Sequence, residues 1–375
     1  IENEMESLGV ADSARLAFSE LRKTFGQVDR FKTLFVYMLA YFFFIDGINS
    51  VTALAGIYGI TVLGLTTTAL IATILVIQFV AAPCAIGFTK LAEATSTKYA
   101  LTLSLVGWVI VVLGALSFAP LALDAHDDYD IQFDWNDETS MYDITTGDNA
   151  YGLGLSVDDS EQDWVTSWAD VMPVHIDEDY TERTIYAFND PSSDEHSATS
   201  TDTVRISAFI ADFGDSNRFS VSVSGGSLDE STGLGVDHPT SLGDGPLDSI
   251  PETVREFVWE PLGFNVMFQF LLLGCMAGAL LGGSQGLARS MFGQMVPETR
   301  SAEFFGFFGF FGKVAALLGP MIYGIMTVTY DSRVGVASLC VLIIIGTVMM
   351  RYVDVDAGRA DAQAEDARNR GISIE

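Results

Sequence analysis

Long apolar runs separated by short polar joints make up most of this chain. A helix that crosses a bilayer needs roughly 20 mostly apolar residues, and six stretches reach that length. They are about Thr33–Tyr58, Leu65–Phe88, Tyr99–Leu121, Leu262–Leu287, Phe304–Val328 and Val334–Val353. The pattern predicts an all-α membrane part of six transmembrane helices, with spans one to three in residues 33–121 and spans four to six in residues 261–353.

Residues 122–260 interrupt this pattern with a polar insertion of the size of an ordinary domain. Its best-patterned pieces alternate or favour β-forming residues, and Gly, Asn, Asp and Ser cluster between them. These pieces are Thr184–Phe188, Val204–Ile210 and Phe219–Val223. The insertion is therefore predicted to be a small β-sandwich-like domain.

The two ends of the chain are polar. Residues 1–32 predict a cytoplasmic amphipathic linker, because four apolar residues fall on one helical stripe; these are Ala17, Leu21, Phe25 and Val28. Residues 354–375 predict a charged cytoplasmic tail, either a frayed helix or disordered. The chain begins with Ile1 and shows no signal peptide, so we expect a piece of a longer polypeptide.

Charge separates the two parts as sharply as hydropathy does. The chain has a formal charge of −30, and residues 122–260 alone hold 32 acidic and 4 basic residues, none of them Lys. This distribution excludes a single soluble globule, a disordered chain and a nucleic-acid binder, whose footprint would be basic. An acidic surface adapted to high salt explains it, while acidic clusters at residues 124–130 and 177–179 leave a Ca²⁺ site as an alternative.

No residue pattern predicts an enzyme, a zinc site or a cofactor. The histidines all lie in the insertion without metal-ligand spacing; they are His126, His175, His196 and His238. The three cysteines fall in apolar runs, so the insertion has no disulfide framework. Neither a nucleophile–base constellation nor a glycine-rich phosphate loop is present.

Basic residues near the ends of the spans indicate the orientation in the membrane. With six crossings, nearly all of them fall on the same side, which predicts that this side is cytoplasmic. They are Arg15, Arg22, Lys23, Arg30, Lys32, Lys90, Lys98, Arg289, Arg300, Arg351, Arg359, Arg368 and Arg370. We therefore expect a multi-pass cell-membrane protein with both ends in the cytoplasm and residues 122–260 outside the cell.

Two opposite charges lie inside the predicted spans. At a rise of 1.5 Å per residue, Asp46 lies roughly 20 Å and Lys313 roughly 14 Å from the cytoplasmic start of their spans. Each alone costs about 2.5–3.5 kcal/mol at the centre of a bilayer. Mutual pairing or a water-filled cavity offsets that cost, which predicts a solute or coupling-ion site; a static structural pair is the alternative.

Other polar residues in the spans extend this candidate site. Asn49, Gln78 and Gln269 are predicted to line a cavity, although hydrogen bonds between helices explain the two glutamines equally well. The sequence Asp46-Gly47 followed by Asn49 predicts either local unwinding of the first span, which exposes backbone groups to a ligand, or a glycine that packs closely against a neighbouring helix.

Glycines mark close helix packing. Four of them recur at every fourth position of the fourth span and predict a face that another helix approaches closely; they are Gly274, Gly278, Gly282 and Gly286. Gly319-Pro320 predicts a bend in the fifth span.

Several motifs together resemble a known family. They are Gly282–Ser290, Pro297, Ala302–Phe308, Gly312-Lys313 and Gly319-Pro320, together with Tyr41–Asn49 and the stretch Gly87–Lys98 (GFTKLAEATSTK). They resemble the C-terminal half of a major facilitator superfamily transporter, in the branch related to the vacuolar amino-acid effluxers of autophagy. The resemblance covers about residues 15–121 and 262–353.

The resemblance implies that these spans are seven to twelve of a twelve-span bundle, in which spans seven and eleven, carrying Asp46 and Lys313, are neighbours. The absent N-terminal half would be part of the same chain or a separate one. Cytoplasmic gating would involve four charged residues, of which the first three match the signature between paired facilitator spans. They are Lys90, Glu93, Lys98 and Arg289.

The combined expectation is half of a secondary active transporter that works by alternating access. Its partners would be membrane lipid, a small polar solute and the N-terminal half, with amino acids favoured as solute only through the resemblance. The alternative is a membrane-anchored receptor or adhesion protein whose extracellular insertion binds a partner. Buried charges and glycine seams favour transport, because an anchor needs neither.

Overall fold

A computed structural model describes residues 30–65, 67–146, 164, 167–168, 171, 203–214, 218–243 and 245–371. The expected amphipathic stripe at residues 17–28 and the expected strand Thr184–Phe188 lie outside these residues. The described residues form two compact units. One is built within Ile1–Ala55, Ile74–Leu116 and Leu271–Glu375, and the other within Gly56–Thr73 and Ser117–Phe270.

Helices dominate the described part of the chain. They are α1 (Lys32–Thr61), α2 (Thr67–Ala94), α3 (Thr97–Ala115), α4 (Thr203–Ala211), α5 (Ser249–Val254), α6 (Val266–Gln294), α7 (Ser301–Val314), α8 (Leu318–Thr329), α9 (Ser332–Met349) and α10 (Val355–Arg370). Six helices in the described ranges are long and apolar enough to cross a membrane, and the fifth of them contains both α7 and α8. The prediction of six spans is confirmed.

Helices α1 and α9 form the most buried pair of the helical unit. A Cβ atom at Gly47 of α1 would lie 2.6 Å from Ile343 Cγ1 on α9, and a Cβ atom at Gly346 of α9 would lie 2.7 Å from Phe44 Cβ on α1. Only glycine permits this approach of the two backbones. Because α1 is an uninterrupted helix from Lys32 to Thr61, the expected unwinding at Asp46-Gly47 is wrong, and close packing is the alternative that holds.

Aromatic rings join α1, α6 and α7. Tyr41 on α1 stacks on Phe308 of α7 with ring centroids 4.1 Å apart, and Phe292 of α6 stacks on the same ring at 4.4 Å. Tyr37 donates its hydroxyl hydrogen to the carbonyl of Ala288 on α6 at 2.6 Å. Residues three and four positions apart share a face of a helix, so part of the Phe-rich stretch 304–311 lies on this inner face. This packing fixes the three helices against one another.

The fifth span is broken rather than simply bent. Helix α7 ends at Val314, residues 315–317 form turns, and α8 begins at Leu318. Pro320 lacks a backbone N–H, and its ring clashes with the carbonyl four residues earlier, so a regular helix cannot continue through this point. The interruption lies at residues 315–317, just before the Gly319-Pro320 pair at which we expected a bend, and it frees backbone amides in the middle of a membrane span.

Gly319 allows α8 to lie directly against α1. A Cβ atom at this position would lie 2.7 Å from Ser50 Cβ and 3.1 Å from Asp46 Oδ1, and it would clash with Ser50 Oγ. Any larger residue would therefore push the start of α8 away from α1.

The C-terminal segment is an ordered helix rather than the frayed or disordered tail that we expected. The Asp354 carboxylate accepts hydrogen bonds from the amides of Asp356 and Ala357 at the start of α10, and Gly371, with φ of 67°, ends it. These are the preferred residues at the two ends of a helix. Composition alone favours a solvated tail, whereas the residues at the two ends of this segment favour a helix.

Helix α10 docks on the loop that joins α6 to α7. Asp366 accepts hydrogen bonds from the backbone amides of Glu298 and Thr299, both at 2.9 Å, and from the Thr299 hydroxyl at 2.7 Å. Arg370 pairs with Glu298 at 2.6 Å. The mostly buried Glu365 lies 3.6 Å from Arg300 in the same loop. Several charged contacts thus hold the helix against the loop.

The polar unit contains a single four-stranded sheet among its described residues. Its strands are β1 (Ile131–Asn136), β2 (Met141–Thr146), β3 (Ser220–Ser224) and β4 (Thr232–Leu234), in the order β2-β1-β3-β4. β1 pairs with β2 antiparallel and with β3 parallel, and β3 pairs with β4 antiparallel. Inward-facing Ile131, Phe133, Val221 and Val223 form the core together with aromatic residues such as Trp164, Phe209 and Phe213.

Two strand predictions in this unit have opposite outcomes. The strand predicted at Phe219–Val223 is confirmed as β3. The strand predicted at Val204–Ile210 is wrong, because these residues form α4, which buries Ile206 and Phe209 against the sheet core. Those two residues are three positions apart and share one helical face. A helix lies against the described sheet where a sandwich would have its second layer of strands.

The docking of α10 should depend on pH through Asp366. Burial alone would raise the pKa of Asp366, but hydrogen bonds from Thr299 and Glu298 and the charge of Arg370 hold it below its ordinary value. A carboxylate of lowered pKa stabilises the folded state above the pKa of the unfolded chain and ceases to do so as the pH falls through the lowered value. We therefore expect docking to be complete at neutral pH and to weaken below about pH 4.

Asp366→Asn should speed hydrogen exchange of the α10 backbone amides about tenfold at neutral pH, since the lost charge-assisted bonds are worth about 1.5–3 kcal/mol. Asp361→Asn on the same helix is the matched control and should leave exchange unchanged. Equal exchange in both variants would contradict the docking role of Asp366.

Gly319→Ala should lower the midpoint of thermal unfolding, because overpacking at this contact costs about 1–3 kcal/mol. Ser50→Gly in the same chain should restore part of that loss by removing the opposing side chain. The control is Gly324→Ala, also in α8, where a Cβ atom meets nothing within 4 Å. The same loss from both alanine substitutions would show that the contact with α1 is not what requires glycine.

Candidate functional site

Asp46 binds the backbone at the break in the fifth span. Its side chain is fully buried. Its Oδ1 atom accepts a hydrogen bond from the Gly319 amide at 3.0 Å and a long one from the Ser50 hydroxyl at 3.5 Å. The first amides of a helix have no partner within that helix. Asp46 therefore acts as the N-terminal cap of α8, although it belongs to a different helix.

The second carboxylate oxygen of Asp46 has a different environment. Oδ2 is buried and has no hydrogen-bond partner among the described residues. The partial positive charge at the N-terminus of α8 stabilises the carboxylate through Oδ1, but it leaves Oδ2 uncompensated. Asp46 is thus a buried acid in which Oδ1 accepts hydrogen bonds and Oδ2 accepts none from the described residues.

Lys313 does not pair with Asp46. It is the penultimate residue of α7, immediately before the break, and its side chain is exposed. No ion pair joins it to Asp46 among the described residues, where the acid instead contacts Gly319 and Ser50. The expected direct charge pair is therefore absent from this conformation, because the amide at the break takes the place that we assigned to the ammonium group. The two spans are neighbours, as the resemblance implied.

The three other polar residues proposed for the cavity lie in unlike environments. Asn49 is half-buried on α1, and Gln78 is exposed on α2. Gln269 is fully buried, and its amide nitrogen donates to the carbonyls of Ala119 at 3.0 Å and Phe264 at 2.7 Å. The structural alternative thus describes Gln269, whose amide holds two backbone segments together.

The proposed gating residues lie near the ends of α2, α3 and α6. Lys90, Glu93 and Arg289 are exposed. Lys98 is half-buried, and its ammonium group donates to the Val353 carbonyl at 2.7 Å, which ties the start of α3 to the segment before α10. Within the described ranges, no ion pair forms among these four side chains in this conformation.

A groove of about 600 Å³ lies between α2 and α6. Glu93 and Gly286 both line it, and a Cβ atom at Gly286 would meet nothing within 4 Å. The neighbouring glycines pack instead: a Cβ atom at Gly278 would lie 2.6 Å from Ile77 Cγ2, and one at Gly282 would lie 3.0 Å from Ala85 Cβ. Two glycines of the predicted seam thus hold α2 against α6, Gly286 opens into the groove, and Gly274 is half-buried.

Sequence reasoning missed two features of this part of the molecule. Ser50, which hydrogen-bonds Asp46, lies one helical turn beyond it, so the four-residue spacing was a usable signal. The capping of α8 by Asp46 had no such signal, because it joins residues 273 positions apart.

Comparison with known proteins gives relatives that cover part of the chain. The autophagy-related protein 22-1 of Penicillium rubens is 35% identical over 112 residues, which are 30% of this chain and 19% of that protein. The uncharacterized MFS-type transporter YxiO of Bacillus subtilis is 33% identical over 98 residues, 26% of this chain and 23% of that protein. The autophagy-related protein 22 of Kluyveromyces lactis is 29% identical over 108 residues, 28% of this chain and 22% of that protein.

These alignments cover about a fifth of the length of each relative. No solved structure matches the chain. A family match extends further: residues 5–124 and 254–363 match the family described as "Vacuole effluxer Atg22 like". The unmatched residues 125–253 fall in the acidic insertion. Since the match covers more than half of the chain, this multi-pass membrane protein belongs to the Vacuole effluxer Atg22 like family.

Proposed function

We propose that the chain is the C-terminal six-span half of a secondary active transporter that moves a small polar solute by alternating access. The observation that carries this proposal is the buried Asp46 at the break between α7 and α8. Broken helices at membrane depth are tolerated only where protein or a water-filled cavity surrounds them, and transporters use them to bind solutes and ions.

Lys313 is the second residue of the proposed site. An exposed ammonium group on a membrane span is costly against lipid, so we place it at a polar cavity shared with an N-terminal half. When this cavity opens to Asp46, Asp46 and Lys313 supply opposite charges to the solute, with Asn49 and Gln78 as further polar contacts. Gln269 is left out of this set because its amide nitrogen already binds two backbone carbonyls.

Amino acids are the proposed solute class. The family description names a vacuole effluxer, and the sequence motifs resemble those of amino-acid effluxers. A zwitterion offers an ammonium group to Asp46 and a carboxylate to Lys313, so both charges of the site would be neutralised by one solute. Exposed charges at Lys90, Glu93 and Arg289 are available to close the cytoplasmic side in another conformation.

We also propose that the ends of the chain are cytoplasmic and that residues 122–260 are outside the cell. Basic residues near the span ends support this orientation. The charge of the insertion supports a surface adapted to high salt, because strong screening is needed to keep so many carboxylates on a compact domain.

Transport is tested with the full-length protein in lipid vesicles, by uptake of a radiolabelled mixture of the twenty L-amino acids. Asp46→Asn and Lys313→Met should each lower the initial rate at least tenfold, because each removes one charge that the solute requires. Asp356→Asn and Lys32→Met, which change exposed residues outside the site, are the matched controls. Parent-like rates in both site variants would contradict the assignment.

Deleting residues 122–260 distinguishes transport from the receptor alternative, which draws support from the separate apolar core of the insertion. Retained uptake supports a transporter that carries an accessory domain. Absence of uptake in the intact protein, with partner binding lost on deletion, would favour a receptor.

The salt hypothesis predicts that the insertion gains stability with ionic strength. Raising KCl from 0.1 to 1 M shortens the screening length from about 10 Å to about 3 Å, so its free energy of unfolding should increase. Fluorescence of Trp135, Trp164 and Trp168, which lie in or against the insertion core, reports this unfolding in the full chain. Sucrose of equal osmolarity is the control, and stability that does not change with KCl would contradict the hypothesis.

A further inference from the structure

We propose that Asp46 carries a proton on Oδ2 in this conformation, and that Asp46 binds this proton and the ammonium group of the solute alternately. The transporter would then exchange protons for solute. This inference rests on the proposed function and names its coupling ion.

The geometry of Asp46 assigns the two oxygens different roles. Oδ1 accepts the Gly319 amide and the Ser50 hydroxyl, and both of these groups are donors. Oδ2 is buried without a partner among the described residues. A proton on Oδ2 leaves the cap of α8 intact, whereas a proton on Oδ1 would compete with the amide of Gly319.

The N-terminus of α8 stabilises Asp46 only through Oδ1, and no charged side chain among the described residues pairs with Oδ2. The titratable groups on the helices packed around Asp46 are Lys32, Tyr37, Tyr41 and Tyr58 on α1, Cys275 and Arg289 on α6, Glu303 and Lys313 on α7, Tyr323 on α8, and Arg333 and Cys340 on α9. Asp46 forms no hydrogen bond or ion pair with any of them among the described residues. A buried charge without a partner costs several kcal/mol, and the neutral acid avoids that cost.

A metal cation fits this site less well than a proton. Hard cations in proteins take several oxygen ligands, six or more for Ca²⁺, and the side chains that contact Asp46 supply one further oxygen, that of Ser50. Among the described residues, no group of three or more His, Cys, Asp or Glu side chains is placed to hold a metal ion. A proton needs no ligand beyond Oδ2 itself.

The exchange step conserves charge and atoms. The neutral acid releases its proton to water when the site opens, and the resulting carboxylate pairs with the ammonium group of the solute. In the reverse direction the solute leaves, and a proton from water takes its place on Oδ2. An ionised Asp46 without solute would be a buried and unpaired charge. The transporter can therefore switch between its inward- and outward-facing states only with the proton or the solute bound.

Infrared difference spectroscopy on the purified full chain, with aspartate labelled by ¹³C at the carboxyl group, tests the proton site directly. We expect a carbonyl stretch from a protonated carboxyl group at pH values where exposed aspartates are ionised. Asp46→Asn should remove this band, Ser50→Ala should shift it without removing it, and Asp356→Asn should leave it unchanged. Because Asn also offers an oxygen to the Gly319 amide, Asp46→Asn keeps the cap and is expected to fold.

Vesicle transport tests the exchange. A gradient that drives protons out of the vesicles should speed amino-acid uptake at least tenfold, and uptake should be accompanied by proton release from the vesicles. A band from Asp46 without any solute flux would support the proton site and refute the proposed transport function. Flux without this band, or flux driven by Na⁺ instead of protons, would overturn the proton inference while leaving transport intact.

Discussion

A break in a membrane helix exposes backbone amides where no water is available to bind them, and the contact between Asp46 and Gly319 resolves this problem. One carboxylate oxygen satisfies the amide at the start of α8. The absence of a side chain at Gly319 brings that amide within reach of α1. This polar contact between the first and fifth spans holds the start of α8, and Gly335 of α9 packs closely against Tyr323 further along α8.

The rest of the helical unit holds α1 in place for this contact. Gly47 and Gly346 let α9 approach α1 closely, and Tyr41 stacks on Phe308 just ahead of the break. The fifth span is thus held by ring stacking before the break, and after it by the hydrogen bond to Asp46 and by packing against α9. Such a junction can rearrange by changing one contact while its packed helices stay rigid.

Hydropathy was enough to predict the six spans, because lipid demands long apolar helices irrespective of their packing. The charge of Asp46 and the Gly319-Pro320 pair also stood out within these apolar spans. The partner of Asp46 was not predictable, since charge alone pointed to Lys313 and nothing local signals a cap from another helix. Alternation likewise misassigned Val204–Ile210, whose helical form follows from the position of Phe209 in a core that only the folded chain brings together.

The hydrogen-exchange rate of the Gly319 amide tests the capping contact most directly. It should be slow in the parent protein, about as slow in Asp46→Asn, which retains an acceptor oxygen, and at least tenfold faster in Asp46→Ala. Equal rates in all three proteins would show that Asp46 does not cap α8, and the functional account built on this contact would fail with it.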